Sequence, residues 1–126
     1  MRHSLTPFSH LVTAATPLEP NERPNLTQVR GRLTFIDQSV LHIRENYVTD
    51  TGKIDYAYQW QTADHQLIHR WDNAHGVDLP TSPHHQHVGS EQNIQPSEPM
   101  TSEKILSHIA SRINTSFADR PRLISD

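Results

Sequence analysis

The chain is 126 residues long, enough for one domain of ordinary size, with 33% hydrophobic, 6% aromatic and 20% charged residues and a mean hydropathy of −0.70. No run of about 18 apolar residues is present, which excludes a membrane-spanning helix; residues 1–20 lack the apolar stretch of a secretory leader, and zero cysteines exclude disulfides, thiolate zinc sites and cysteine nucleophiles, so a cytoplasmic protein is expected. Eleven Lys+Arg against 14 Asp+Glu give a net charge of −3, but half-charging ten histidines near pH 6.5 would bring it to about +2, so polyanion binding is expected to be local or histidine-assisted.

In chain order, residues 1–25 form an arm. Leu5, Phe8, Leu11 and Val12 have helical spacing and predict one or two turns. Pro17, Pro20 and Pro24 then stop regular structure, so a loosely docked terminus is expected. The domain proper spans residues 26–116. Leu26–Ile36 alternates Thr27, Val29, Gly31, Leu33 and Phe35 against Gln28, Arg30, Arg32 and Thr34, the period of a half-buried strand. Asp37-Gln38 is a tight turn without the favoured glycine. A second run, Ser39–Thr49, puts Leu41, Ile43, Glu45 and Tyr47 on one side, and Asp50-Thr51-Gly52 is a hairpin signal. The third run, Lys53–Gln61, carries Ile54, Tyr56, Tyr58 and Trp60 on one side; the fourth, Leu67–Asp72, sets Leu67, His69 and Trp71 against Ile68, Arg70 and Asp72. Residues 73–99 hold four prolines and a histidine cluster, and predict a long loop with at most a short edge strand at Gln92–Ile94. Thr101–Ile113 is the best helix, capped by Thr101 or Ser102, with Ile105, Leu106, Ile109 and Ile113 in one stripe. Residues 117–126 form a polar tail. The expected fold is α+β: a four- or five-stranded antiparallel sheet with the C-terminal helix packed on one face.

Three features carry chemistry. Glu45 shares a face with apolar residues, where a carboxylate is costly unless paired; it is either ion-paired near an edge or held beside a site as a base or an orienter. Arg70 and Asp72 emerge on one face about 6.6 Å apart along their strand; arginine there offers a planar fork for phosphate, or forms a cross-strand ion pair. Pro83-His84-His85-Gln86-His87 puts His85 and His87 on one side of an extended backbone. The two imidazoles can act as acid and base, or bind a metal with Asp72, His75 or Asp78 as a further ligand, although the spacing matches no standard zinc motif. His3, His10, His42, His65 and His108 are expected at the surface. With four glycines in all, phosphate-cradling glycine loops and a GxSxG elbow are missing.

The ordered blocks Leu33-Thr34-Phe35-Ile36-Asp37-Gln38-Ser39-Val40-Leu41, Glu45, Tyr56-Ala57-Tyr58-Gln59-Trp60, Leu67-Ile68-His69-Arg70-Trp71-Asp72-Asn73-Ala74 and Pro83-His84-His85-Gln86-His87, followed by Pro99 and a short amphipathic helix, resemble the TumE family of bacterial toxin-like proteins over residues 26–113. Gln38 stands where the family has a turn glycine, Ala74-His75-Gly76 replaces a proline-histidine-histidine stretch, and Ser82 replaces an aromatic residue. The resemblance implies the toxin half of a type II toxin–antitoxin pair, with a small helix-turn-helix antitoxin as partner; it supplies no mechanism.

The first expectation is therefore a toxin acting as a metal-independent ribonuclease without a cofactor. His85 and His87 are the candidate acid and base, Arg70 stabilises the phosphorane, and Glu45 or Asp72 orients. His84, His75, Trp71 and Tyr58 are candidate binding residues, with RNA as target. The alternatives are a non-catalytic interaction module or inactive toxin relic, and a metal-dependent hydrolase using the same histidine loop.

Overall fold

The computed structural model describes residues 5–118. A single-turn-type 3-10 helix over Thr6–Leu11 buries Leu11 and is followed by β1 (Val12–Ala15) and β2 (Asn21–Arg23). The meander follows as β3 (Leu26–Phe35), β4 (Val40–Val48), β5 (Ile54–Gln61) and β6 (Leu67–Asp72), then β7 (His85–Val88), β8 (Ile94–Pro96) and helix α1 (Ser102–Ala118). His3 and the tail after residue 118 lie outside the described residues.

All the pairings are antiparallel, in the order β1-β3-β4-β5-β6-β7-β8, with β2 also on β3. The sheet thus has eight strands, not the four or five expected. The extra strands come from segments whose own pattern is too short or too polar to signal one. β3 is ten residues long, and its free edge is covered at one end by β1 (Ala15 opposite Leu33) and at the other by β2 (Asn21 opposite Gln28). Pro17 and Pro20 fall between these two strands and Pro24 falls in the turn after β2, so none removes a ladder donor. Between them Leu18 packs onto the core, in space left by Gly31, where a Cβ would lie 2.0 Å from Leu18 Cδ2. The arm is therefore stitched to the sheet rather than loosely docked.

The two faces of the sheet differ. One is apolar: Leu33, Phe35, Leu41, Ile43, Tyr56, Tyr58, Trp60 and Trp71 pack beneath Leu11 of the 3-10 helix and the α1 stripe of Ile105, Leu106, Ile109 and Ile113. Thr101 caps α1 by accepting the Lys104 N–H through its hydroxyl, at 3.2 Å. His108 is not at the surface as expected: its ring meets Trp60, Trp71 and His69 edge-on at centroid distances of 6.3, 5.2 and 5.2 Å. Among the described residues, the other face carries no helix. Among the described residues, no helix is long and apolar enough to cross a membrane.

A cationic sheet face and its histidine cluster

Strand register sets the open face. Residues directly opposite one another share a face, so two adjacent rungs cross five strands: Arg30–Arg44–Ala57–Asp72–His85 and Arg32–His42–Gln59–Arg70–His87. Ala57 is the small residue between longer neighbours. A groove of about 560 Å³ opens there, lined by Arg30, His42, Arg44, Ala57, Gln59, Gln61 and Arg70. Among the described residues, the guanidinium groups of Arg30, Arg32 and Arg44 make no ion pair with a carboxylate. His42 is held below its ordinary range by burial, then by the charge of Arg32 and by His65.

Arg70, which lines the groove, is paired with Asp72, which is 2% exposed. Arg70 donates from Nε to Asp72 Oδ2 at 2.9 Å and from Nη1 to Gln59 Oε1 at 3.1 Å, so its fork is tied across two strands. His85 Nε2 lies 3.0 Å from Asp72 Oδ1, and His87 Nε2 lies 3.8 Å from Asp72 Oδ2. The ring of His75, reached through the loop after β6, stacks on His85 at 5.2 Å, and His87 meets His85 edge-on at 5.1 Å. Residues far apart in the chain therefore converge because β7 pairs with β6: Asp72 lies opposite His85 and Arg70 opposite His87. His85 is wholly buried, whereas the His87 side chain is 10% exposed.

Asn73 locks this strand end. Its side-chain oxygen accepts the Tyr56 N–H at 2.8 Å, its amide donates to the Ile54 carbonyl at 2.8 Å, and its own N–H reaches the Tyr56 carbonyl at 3.3 Å. The side chain of a buried residue thus replaces two ladder bonds and fixes the preceding Asp72 against β5. Asp72 Oδ1 also accepts the Ala74 N–H at 3.3 Å, the side-chain turn that starts the loop.

Glu45, Tyr58, Trp71 and His84 are not in this cluster. Glu45 is buried on the helix-covered face, where Tyr58 donates its hydroxyl to Glu45 Oε2 at 2.5 Å and Tyr47 also bonds the carboxylate. Burial and this carboxylate push both tyrosine hydroxyls far up. Trp71 stacks on His69 at 3.9 Å beneath α1. The hydroxyl of Tyr56 accepts the Met100 N–H at 3.2 Å and lies 2.7 Å from His84 Nδ1, so His84 ties the loop to the segment before α1. The aromatic residues offered for binding thus belong to the core. The residues the sequence reading missed are Arg30, Arg44, His42 and Gln59, which line the groove. Their alternation with Val29, Gly31, Leu33, Leu41 and Ile43 was visible, but which strands lie side by side was not.

No curated protein and no solved structure matches the chain. A family model described as Toxin TumE matches residues 3–116, so the likeness extends through the N-terminal arm as well as the meander, the histidine loop and α1. A match over that length supports a toxin-like role and makes the chain a member of the Toxin TumE family.

Proposed function

We propose that this toxin-family chain acts on RNA, binding its phosphate backbone along the open sheet face and cleaving it beside Asp72. The observation that carries the reading is the pair of rungs that runs across one groove from Arg30 and Arg44, which meet no carboxylate among the described residues, to Arg70, with His87 opposite it on β7. Phosphate contacts from arginines position a nucleic acid without reading bases. Among the described residues, Phe35, Tyr56, Tyr58, Trp60 and Trp71 lie in the core on the opposite face, so recognition here is by backbone charge.

Cleavage of RNA moves a proton off the 2′-OH, lets O2′ attack phosphorus, and breaks the P–O5′ bond with a proton going to O5′. His87 is the proton-transfer group of this reading, because its side chain is 10% exposed and lies opposite Arg70, which lines the groove, while His85 is wholly buried. Arg70 lies on the same rung and balances charge on the phosphorane. O5′ takes its proton from water in the open groove. His85 acts through Asp72 and does not touch the substrate. A helix-turn-helix antitoxin is the partner this reading requires, and it would neutralise the toxin by covering the cationic face.

Purified chain incubated with labelled RNA tests the proposal. His87→Ala should slow cleavage about 10²–10⁴-fold, the range for a positioned acid or base, without changing the melting transition. Growth arrest on expression should fall in parallel and be relieved by the partner. Arrest that survives His87→Ala in soluble, folded protein would overturn the catalytic reading in favour of a non-catalytic interaction module.

A further inference from the structure

We propose that Asp72, His75 and His85 form a binding site for one divalent transition-metal ion of the zinc class. One donor atom from each of the three lies within 4.8 Å of the others. The protons place the donors. His85 Nδ1 lies 2.9 Å from the Pro83 carbonyl oxygen, which can only accept, so that nitrogen carries the hydrogen. In the neutral ring Nε2 is then a bare lone pair. It faces Asp72 Oδ1 at 3.0 Å, wholly buried and with no hydrogen bond aligned to it. Two lone pairs held that close repel unless a cation sits between them.

His75 Nδ1 is likewise 3.3 Å from a backbone carbonyl, that of Gly76, which leaves Nε2 as its free donor. A backbone carbonyl on the far nitrogen is the arrangement that fixes the tautomer and raises the basicity of metal-binding imidazoles. The His85–Asp72 distance is close to the ~3.3 Å edge of a tetrahedron with ~2.0 Å metal bonds. His75 is exposed on its loop and free to close the remaining gap. A proton between His85 and Asp72 would also bridge the contact, but it gives no role to the His75 donor that lies within 4.8 Å of both. A metal ion lets His75 and His85 stay neutral and uses the carboxylate as its anionic ligand. Imidazole with carboxylate suits zinc and its first-row neighbours, and disfavours magnesium and calcium.

The site does not depend on RNA being the target, and its test reads binding alone. Full-length chain is stripped with chelator and titrated with zinc chloride by calorimetry, with Co²⁺ absorption as a second readout of ligand geometry. One tight site per chain is expected. His75→Gln and His85→Gln should each weaken it more than about 100-fold, beyond the loss typical of outer-shell residues. His65→Gln, a surface control, should leave it unchanged. Because His75 is exposed, His75→Gln decides the question even if His85→Gln fails to fold. Absence of a saturable site, or a tight site that survives His75→Gln, would overturn the proposal. Loss of cleavage with zinc binding intact would instead count against the ribonuclease reading.

Discussion

The sheet buries two carboxylates, one on each face, and treats them in opposite ways. Glu45 and Asp72 are 3% and 2% exposed. Glu45 is held by neutral donors, the hydroxyls of Tyr58 and Tyr47, beneath the helix. Because burial and the carboxylate push those hydroxyls far up, they remain donors at any working pH. Asp72 is held by a guanidinium that lines the groove and faced by imidazoles, groups that carry or exchange charge. Equal burial therefore does not mean equal use. A carboxylate closed off by phenols belongs to the core; one surrounded by Arg and His, with an orphaned imidazole nitrogen beside it, belongs to a site.

The largest effect should come from breaking the Glu45 side of this contrast. Glu45→Leu leaves the buried Tyr58 hydroxyl without its acceptor, at about 1–3 kcal/mol, and the half-buried Tyr47 hydroxyl at less, so urea denaturation should show a loss of about 2–4 kcal/mol. Activity per folded molecule should not change. Adding Tyr47→Phe and Tyr58→Phe should restore much of the loss, because it removes the two hydroxyls that would otherwise lose their acceptor. Asp72→Asn, which keeps an acceptor oxygen for Arg70 and the Ala74 N–H, should instead be read by function, abolishing zinc binding and cleavage. If folded Glu45→Leu protein loses activity, the assignment of Glu45 to the core fails.

The sequence showed much of the meander because β3 to β6 announce themselves by period-2 alternation, and their bounds fall within a few residues of the expected runs. β1, β2 and β7 were not legible. They are three or four residues long, and each exists because a neighbouring edge is free to pair. β7 also lacks an apolar face: Gln86 turns toward His69, with Oε1 2.6 Å from its Nε2, while His85 and His87 turn toward Asp72. The histidine loop and Arg70-x-Asp72 stood out by residue type alone. Glu45 stood out as well, but its meaning depended on Tyr58 lying diagonally across β5, and that needs the register. That Arg30 and Arg44 meet no carboxylate among the described residues is likewise a property of the assembled sheet.

A second contrast lies within the histidines. His69 is held down to about 4, by burial first, against a partly opposing hydrogen bond that it donates to Gln86 Oε1, and with help from the charges of His108, Arg112 and His87. His108 is lowered by burial and by Arg112. Between pH 4 and 6.5 the unfolded chain binds a proton at His69 that the folded chain does not, so stability rises with pH in that window. The contribution is complete above pH 6.5 and is lost as the pH falls toward 4; at 1.36 kcal/mol per unit it amounts to at most about 3 kcal/mol. Urea melts at pH 7.5 and pH 4.5 should therefore differ more for the wild type than for His69→Phe, whose ring can still stack on Trp71 without titrating. Equal differences would mean that the aromatic layer under α1 tolerates charge.

The smallest effect concerns the turn that joins β3 to β4. Gln38 has a φ of 72°, in the left-handed region that favours glycine, and Asp37 stabilises the same turn by accepting the Ser39 N–H at 3.0 Å and its hydroxyl at 2.5 Å. Ser39 in turn accepts the indole N–H of Trp60 at 2.9 Å, so this turn anchors the core face and is remote from the Asp72 cluster. A side chain in that backbone region costs about 1–2 kcal/mol, part of which glycine returns through the greater freedom of its unfolded state. Gln38→Gly should therefore stabilise the chain by about 0.5–1 kcal/mol, seen as a higher urea midpoint at unchanged slope, and leave zinc affinity and RNA cleavage as they were. A gain in stability with no functional change would show that the apolar face can be improved without touching the charged one. A change in cleavage would show that the two faces are coupled through β4, whose Leu41 and Ile43 face the core and whose His42 and Arg44 line the groove.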